Sequence, residues 1–187
     1  DQRGRARSEH GERGEEGRAL RERDRMRVDP ADLVQRHLGE TDEAVLDALH
    51  LLEPQLSAHK VHLHPQFAPG LPAARADAVA LQQILHNLLT NALQAMDTTP
   101  VGERQLWITL THQGAQLLLT VRDSGPGIAP DMRPRLFTPF ATGRDRGLGL
   151  GLTLSQSLAE AMGASLQLHD AGPGACFALR LPVHNTR

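Results

Sequence analysis

Two asparagines four residues apart, Asn87 and Asn91, stand in a run otherwise made of leucine, isoleucine, alanine and a few polar residues. On a helix that spacing puts both carboxamides on one face. Amides are poor helix formers, so a pair on one face needs a reason. One reason is a polar outer surface. The other is ligation, because neutral carbonyl oxygens suit a hard cation such as Mg²⁺ and leave the negative charge to a nucleotide's phosphates. Further along, Asp123-Ser124-Gly125-Pro126-Gly127 follows the apolar run Leu117 to Val121. A carboxylate exposed at a strand end can accept a hydrogen bond from an exocyclic base amine, and glycines let a flat ring approach the backbone. The same residue types also make an ordinary β-turn. Third, Gly147-Leu148-Gly149-Leu150-Gly151-Leu152 leads into a helical pattern at Thr153. Glycines before a helix expose backbone N–H groups at the positive end of its dipole, which is a phosphate cradle.

Two familiar nucleotide motifs fail on context. Asp170 lies about where a dinucleotide fold would hold the ribose, but the glycines follow Thr142-Gly143-Arg144-Asp145-Arg146 where a buried strand is required. The third glycine is also one position too early for GxGxxG. A P-loop is excluded because the only lysine, Lys60, follows no such glycine pattern. Other residues have plainer readings. His62 and His64 alternate on one strand face with no third metal ligand in view, which is an exposed face by default. Cys176 in a strand pattern reads as a buried thiol. Phe137, Phe140 and Trp107 read as core aromatics unless a site claims them.

These groups need elements to hold them. Thr41 followed by Asp42 and Glu43 is a helix start, with Val45, Leu49, Leu52 and Leu56 at helical spacing and Pro54 as a bend. Val61 to Phe67 alternates as a half-buried strand does. From Asp77, a natural N-cap, to Met96, the residues Leu81, Ile84, Leu85, Leu88, Ala92 and Ala95 form a wide apolar stripe. Gln105 to Thr111 and Gln116 to Val121, joined at Gln113-Gly114, predict an antiparallel hairpin. Leu148 to Met162 is helical in spacing, and Ser165 to His169 with Cys176 to Leu181 predicts a second hairpin. Helices mixed with antiparallel strands, without strict alternation, give an α+β two-layer sandwich.

Composition sets the bounds. A chain of 187 residues with 40% hydrophobic and 22% charged residues is a globular domain of ordinary size. Its formal charge of -2 gives no electrostatic reason for a nucleic-acid partner. One cysteine excludes an internal disulfide framework and any CxxC motif. No apolar run approaches the roughly 18 to 20 residues of a spanning helix, so this stretch is expected to be soluble. Asp1 to Gly17 alternates charge with glycine and is read as disordered, while Leu20 to Arg27 permits a frayed helix. A chain that opens at Asp1 without methionine is expected to be a piece of a longer protein.

Taken in order, Asn87/Asn91, Asp123-x-Gly-x-Gly, Phe137-x-x-Phe140 and the Gly147 to Gly151 run form a combination that resembles the ATP-binding catalytic domain of sensor histidine kinases. That family belongs to the superfamily of DNA gyrase, Hsp90 and MutL. Leu81 to Ala92 is similar to its N box, Asp123 to Gly127 to its G1 box, Leu136 to Phe140 to its F box, and Gly147 to Leu152 to its G2 box. Gly174 to Pro182 resembles its last strand. The resemblance implies a Bergerat-type fold, with a mixed, largely antiparallel sheet packed on helices. It further implies residues 1–28 as the remnant of a dimerisation helix, 29–60 as linking helices, 61–184 as the catalytic domain and 185–187 as a tail.

The resemblance also assigns roles. Asn91 goes to Mg²⁺, Asn87 to the phosphate and metal region, and Asp123 to the adenine amine with Gly125 and Gly127 beside it. Phe140, Gly147, Leu148, Gly149 and Gly151 border the nucleotide in the lid and the phosphate-facing helix start. A basic contact to the terminal phosphate falls to Arg144, or to Arg146 because the loop is short. Where the gyrase, Hsp90 and MutL branch carries a water-orienting glutamate, this chain has Asn87, which favours phosphoryl transfer over hydrolysis. The implied acceptor is a histidine of the parent's dimerisation domain. His10, followed by Gly11, fits an acceptor box poorly. The implied partners are that domain, a response regulator and a second copy in a homodimer, in a cytoplasmic part of a protein anchored in the inner membrane. Two rival readings are a serine-protein kinase of the anti-sigma type and an ATP-binding signalling module without chemistry.

Overall fold

The computed structural model of the chain describes residues 40–140, 149–169 and 173–183. The expectations for residues 1–39, for His10, Arg144, Arg146, Gly147, Leu148 and Asp170, and for the tail 185–187 therefore lie outside the described residues. Four of these, Arg144, Arg146, Gly147 and Leu148, were assigned to the nucleotide site.

The described elements run α1 (Glu40–Ala58), β1 (His62–Phe67), α2 (Ala78–Ala95), β2 (Gln105–Gln113), β3 (Gln116–Asp123), α3 (Gly151–Ala161), β4 (Ser165–Leu168) and β5 (Cys176–Pro182). Short 3-10 turns at Met96–Thr98 and Arg133–Arg135 complete them. Among the described residues the strands form one sheet in the order β1-β2-β3-β5-β4. β1 pairs parallel with β2, and every other pairing is antiparallel. The three helices share one side of this sheet: α2 packs on β3, α3 on β4 and α1 on β1, while α1 and α3 both lie against α2. The expected α+β two-layer arrangement is the observed one.

Alternation explains the layering. Leu106, Ile108 and Leu110 of β2 and Leu117, Leu119 and Val121 of β3 point to the helices and are buried. They meet Leu81, Ile84, Leu85, Leu88, Leu89, Ala92 and Leu93 of α2, whose wide stripe was evident in the sequence. Asp77 caps α2 as expected, its carboxylate accepting from the Ala80 amide at 2.8 Å. α1 buries Val45, Leu49, Leu52 and Leu56 and continues through Pro54.

Several expectations need correction. α1 already includes Glu40, and the Thr41 hydroxyl does not cap it; it accepts from the Ala74 amide at 3.2 Å and holds the segment before α2. The first hairpin turns at Gly114-Ala115, one residue later than expected, with Gly114 at φ +61. α3 starts at Gly151. Trp107 is not a core residue. It sits on the outer face of β2, stacked on His64 at 5.5 Å between ring centroids, with the Arg122 guanidinium 4.1 Å from its own ring centroid. A polar-faced strand pair can shelter a large ring sideways, so burial from within is not required. Phe137 meets Phe177 edge to face, whereas Phe140 is 73% exposed and has no place in the core. Cys176 is buried as expected.

Candidate nucleotide site

β3 runs two residues beyond its apolar stretch, and this places the first functional group. In the alternation that buries Leu117, Leu119 and Val121, the next inward position is Asp123. It is only 3% exposed, which corrects the expectation of an exposed strand-end carboxylate. A buried carboxylate must be hydrogen-bonded. Its Oδ1 accepts from the Gly125 amide at 2.8 Å and from the Ala175 amide at 3.3 Å. The Asp123 amide in turn donates to the Ala175 carbonyl at 3.0 Å. Two amides on one oxygen fix the plane of the carboxyl group, while a carboxylate has about four lone-pair sites in all. Ser124 pins the turn that follows: its hydroxyl accepts from the Gln105 amide and donates to the Glu103 carbonyl, both at 2.8 Å.

The glycines around Asp123 are there because nothing larger fits. A Cβ on Gly125 would lie 2.8 Å from Asp123 Oδ1 and 3.0 Å from the Ala95 carbonyl oxygen. Gly127, at φ +79, would meet the Gly174 carbonyl oxygen at 3.1 Å. Gly174, at φ +86, would drive a Cβ to 1.8 Å from the Asp123 carbonyl oxygen. Gly174 and Ala175, which the sequence places only in a hairpin turn and a last strand, both close on Asp123 and so join the candidate site. Their signal was the glycine bracketed by Pro173 and Ala175, which looks like any turn until β5 is known to lie against the end of β3.

Asn87 and Asn91 are both half-buried on α2, on the face that ends at Ala95. Their i, i+4 spacing and that of Ala95 make one line down the helix, about 12 Å long at 1.5 Å per residue. At one end of it the Ala95 carbonyl abuts Gly125. At the other, Asn87 Nδ2 donates to the Gly151 carbonyl at 3.2 Å and to Ser155 Oγ at 3.1 Å, both on α3. Gln83 Nε2 donates to Asn87 Oδ1 at 3.3 Å. The Asn91 carboxamide bonds no described residue. The structure thus brings Asn87, Asn91, Gly125 with its neighbour Asp123, and Gly151 to one side of α2, while Gly127 lies against Gly174.

α3 opens without a side-chain cap at Leu150, so its first N–H groups are not taken up by a capping side chain. Gly149 precedes it at φ +65. A Cβ on Gly151 would come 3.8 Å from Asn87 Cγ, an ordinary contact, so this glycine allows the approach of α2 and α3 without being demanded by it. The Thr153 hydroxyl donates to the Phe137 carbonyl at 3.2 Å and ties the Leu136 to Phe140 segment to α3. Phe140 ends that segment at φ +63, exposed beside the start of the 141–148 stretch. A separate groove of about 480 Å³ lies between α3 and β4, lined by Phe137, Gln156, Glu160 and Leu166 among others, and includes none of the asparagines or Asp123.

Beside Asp123, burial pushes the Cys176 thiol above its ordinary value of 9.0, opposed by the Arg122 charge and assisted by that of Asp123. Among the described residues no three His, Cys, Asp or Glu side chains gather as a metal cage. Along α2 the half-buried side-chain oxygens of Asn87 and Asn91 are neutral amide acceptors, a type that suits a hard cation arriving with its own phosphate oxygens.

A buried strand-end carboxylate, paired helix asparagines and an uncapped glycine-led helix on one fold point to a known class of protein. Residues 76–185 match the family of histidine kinase-, DNA gyrase B-, and HSP90-like ATPases, and the chain belongs to that family. ATP is the nucleotide of such a domain.

Among curated relatives, the chain is similar to the C4-dicarboxylate transport sensor protein DctS of Rhodobacter capsulatus, at 33% identity over 75% of this chain and 22% of that protein. It is similar to the sensor histidine kinase ZraS of Escherichia coli (strain K12), at 35% identity over 75% of this chain and 30% of that protein. The chain therefore spans less than a third of either relative. Among solved structures, the catalytic domain of histidine kinase ThkA superposes with a TM-score of 0.67 at 23% identity, over 76% of this chain and 91% of that one. Full-length ShkA in complex with AMPPNP gives 0.64 at 29% identity, over 75% of this chain and 29% of that one.

Proposed function

We propose that the chain is the catalytic, ATP-binding domain of a two-component sensor histidine kinase. The observation that carries this reading is one line of contacts along α2, with the Asp123 cradle at one end and the Asn87-to-α3 junction at the other. In this reading Asp123, held by Gly125 and Ala175, accepts from the adenine amine, and Gly125 and Gly127 leave room for the ring. Asn91 offers its carbonyl oxygen to Mg²⁺, with Asn87 beside it. The cation, when bound, offsets charge on the phosphates. Gly149 and Gly151 present the α3 N-terminus to the phosphates, and Phe140 and Leu148 border the nucleotide. Arg144, or Arg146, meets the terminal phosphate.

The chemistry that fits is phosphoryl transfer rather than hydrolysis. No carboxylate stands at Asn87 to orient water, and an amide cannot act as a general base. An imidazole nitrogen brought in line with the γ-phosphorus would form the N–P bond as the bond to the β-phosphate oxygen breaks and ADP leaves. The acceptor is a histidine of the parent's dimerisation domain, in a homodimer that passes the group to a response regulator. The parent holds this domain on the cytoplasmic side of the inner membrane; among the described residues no helix is long and apolar enough to cross one.

The test is incubation of the chain with γ-labelled ATP, alone and with the parent's dimerisation domain. The expected result is no label on the chain alone and an acid-labile, base-stable label on the added domain, because proximity is what the isolated chain lacks. Acid-stable label on a separate protein would move the reading to a serine-protein kinase. Acid-labile label on the chain itself, lost on His10→Ala, would place the acceptor at His10.

A further inference from the structure

Ser155 is a polar side chain with no exposed surface, on α3 one turn after Gly151, and none of the nucleotide motifs includes it. A fully buried hydroxyl costs stability unless it is bonded. Its partner comes from the neighbouring helix: Asn87 Nδ2 donates to Ser155 Oγ at 3.1 Å. The other Asn87 N–H goes to the Gly151 carbonyl at 3.2 Å.

A carbonyl can only accept, so the nitrogen side of the Asn87 amide must face α3 and its oxygen must face away. On that oxygen side Gln83 donates at 3.3 Å, and one bond leaves acceptor capacity on a carbonyl oxygen. Both amide hydrogens are thus taken up by α3. We infer that Ser155 is a positioning residue for the phosphate end of the site: it takes up Asn87 Nδ2 together with the Gly151 carbonyl and fixes the orientation of the one carboxamide that ties α2 to the start of α3. Removing the hydroxyl leaves Gly151 as the sole α3 acceptor, and the amide gains freedom to rotate out of that orientation.

This inference rests on the proposed reading of the cleft as a Mg²⁺-ATP site. The test measures the affinity of the whole chain for adenosine and for ATP, with and without Mg²⁺, together with thermal stability. Two variants are used. Ser155→Ala removes the acceptor, and Ser155→Cys keeps an atom at the γ position but accepts weakly. Both should leave adenosine affinity unchanged and reduce the gain in ATP affinity on adding Mg²⁺ by about fivefold, the worth of one ordinary hydrogen bond. In an Asn87→Ala background Ser155→Ala should have no further effect on that gain. Undiminished Mg²⁺ dependence in both variants would overturn the inference. So would an equal weakening of adenosine and ATP in step with a falling melting temperature, which is what a mere packing role would give. A wild-type chain whose ATP affinity ignores Mg²⁺ would overturn the reading of the site as well.

Discussion

At the end of β3 the site is made of backbone and small residues. Asp123 is buried, two amides hold one of its oxygens, and three glycines approach so closely that added Cβ atoms would clash or nearly so. Along α2 and the start of α3 it is made of side-chain amides that stay half-exposed, one bonded on both its atoms and the other to no described residue. In the proposed reading the first region takes the base and can reject one that presents the wrong edge. The second keeps acceptors with spare capacity, which suits phosphates and a cation whose positions change as the terminal group leaves. In that reading specificity resides where the packing is closed, and adaptation where it is open.

The contrast breaks most readily at Gly174. Gly174→Ala must displace the Asp123 carbonyl and strain a backbone at positive φ, so a loss of about 3 kcal/mol is expected, together with loss of nucleotide binding. Denaturant unfolding and calorimetry measure both. Next comes Asp123→Ala, which leaves the Gly125 and Ala175 amides unpaired and should cost about 1 to 3 kcal/mol of stability as well as adenine recognition. Asp123→Asn keeps an oxygen for those amides, and should lower ATP affinity about ten- to a hundredfold with a much smaller change in stability. If both variants lost stability equally, the carboxylate would be serving the fold more than the ligand.

The open region should answer differently. Asn91→Ala is expected to change stability by less than about 0.5 kcal/mol, since the amide bonds no described residue, yet to remove most of the Mg²⁺-dependent gain in ATP affinity. Titrations with and without Mg²⁺ decide it. A mutant that keeps the full gain would take Asn91 out of the metal's reach.

Smallest is the effect at Cys176. Its thiol is held above 9.0 in the folded chain by burial, so above that pH the unfolded chain releases a proton that the folded one keeps. Stability contributed by the neutral thiol is fully present below pH 9 and is lost as pH rises toward the folded value. The stability difference between the parent and Cys176→Ala should therefore shrink above pH 9. A difference constant up to pH 10.5 would show that the closed region does not exclude the thiolate.

The open region was easier to read in the sequence than the closed one. Asn87 and Asn91 announce themselves, because two amides at helical spacing in an apolar stripe have few uses. Periodicity also placed α2, its Asp77 cap and both hairpins, since each depends on neighbours within a few residues. Asp123 reads in the sequence as an exposed strand-end carboxylate, whereas it is buried. Its burial follows from a strand two residues longer than its apolar run, which the pairing of Asp123 with Leu106 of β2 shows. Gly174 and Ala175 serve the site across a contact some fifty residues away in sequence, and nothing local distinguishes them from a turn. Trp107 was misassigned for the same reason, as its shelter comes from His64 on one neighbouring strand and Arg122 on the other. Chemistry carried by side-chain type was legible, and chemistry carried by the approach of two backbones was not.

Calorimetric titration of the chain with adenosine and with ATP, each with and without Mg²⁺, tests the division between the two regions directly. The account predicts that adenosine binds with the same affinity in both conditions and loses it on Asp123→Asn, while Mg²⁺ strengthens ATP alone and does so through Asn91. Adenosine binding that depends on Mg²⁺, or ATP binding that is indifferent to both Asp123 and Mg²⁺, would contradict it.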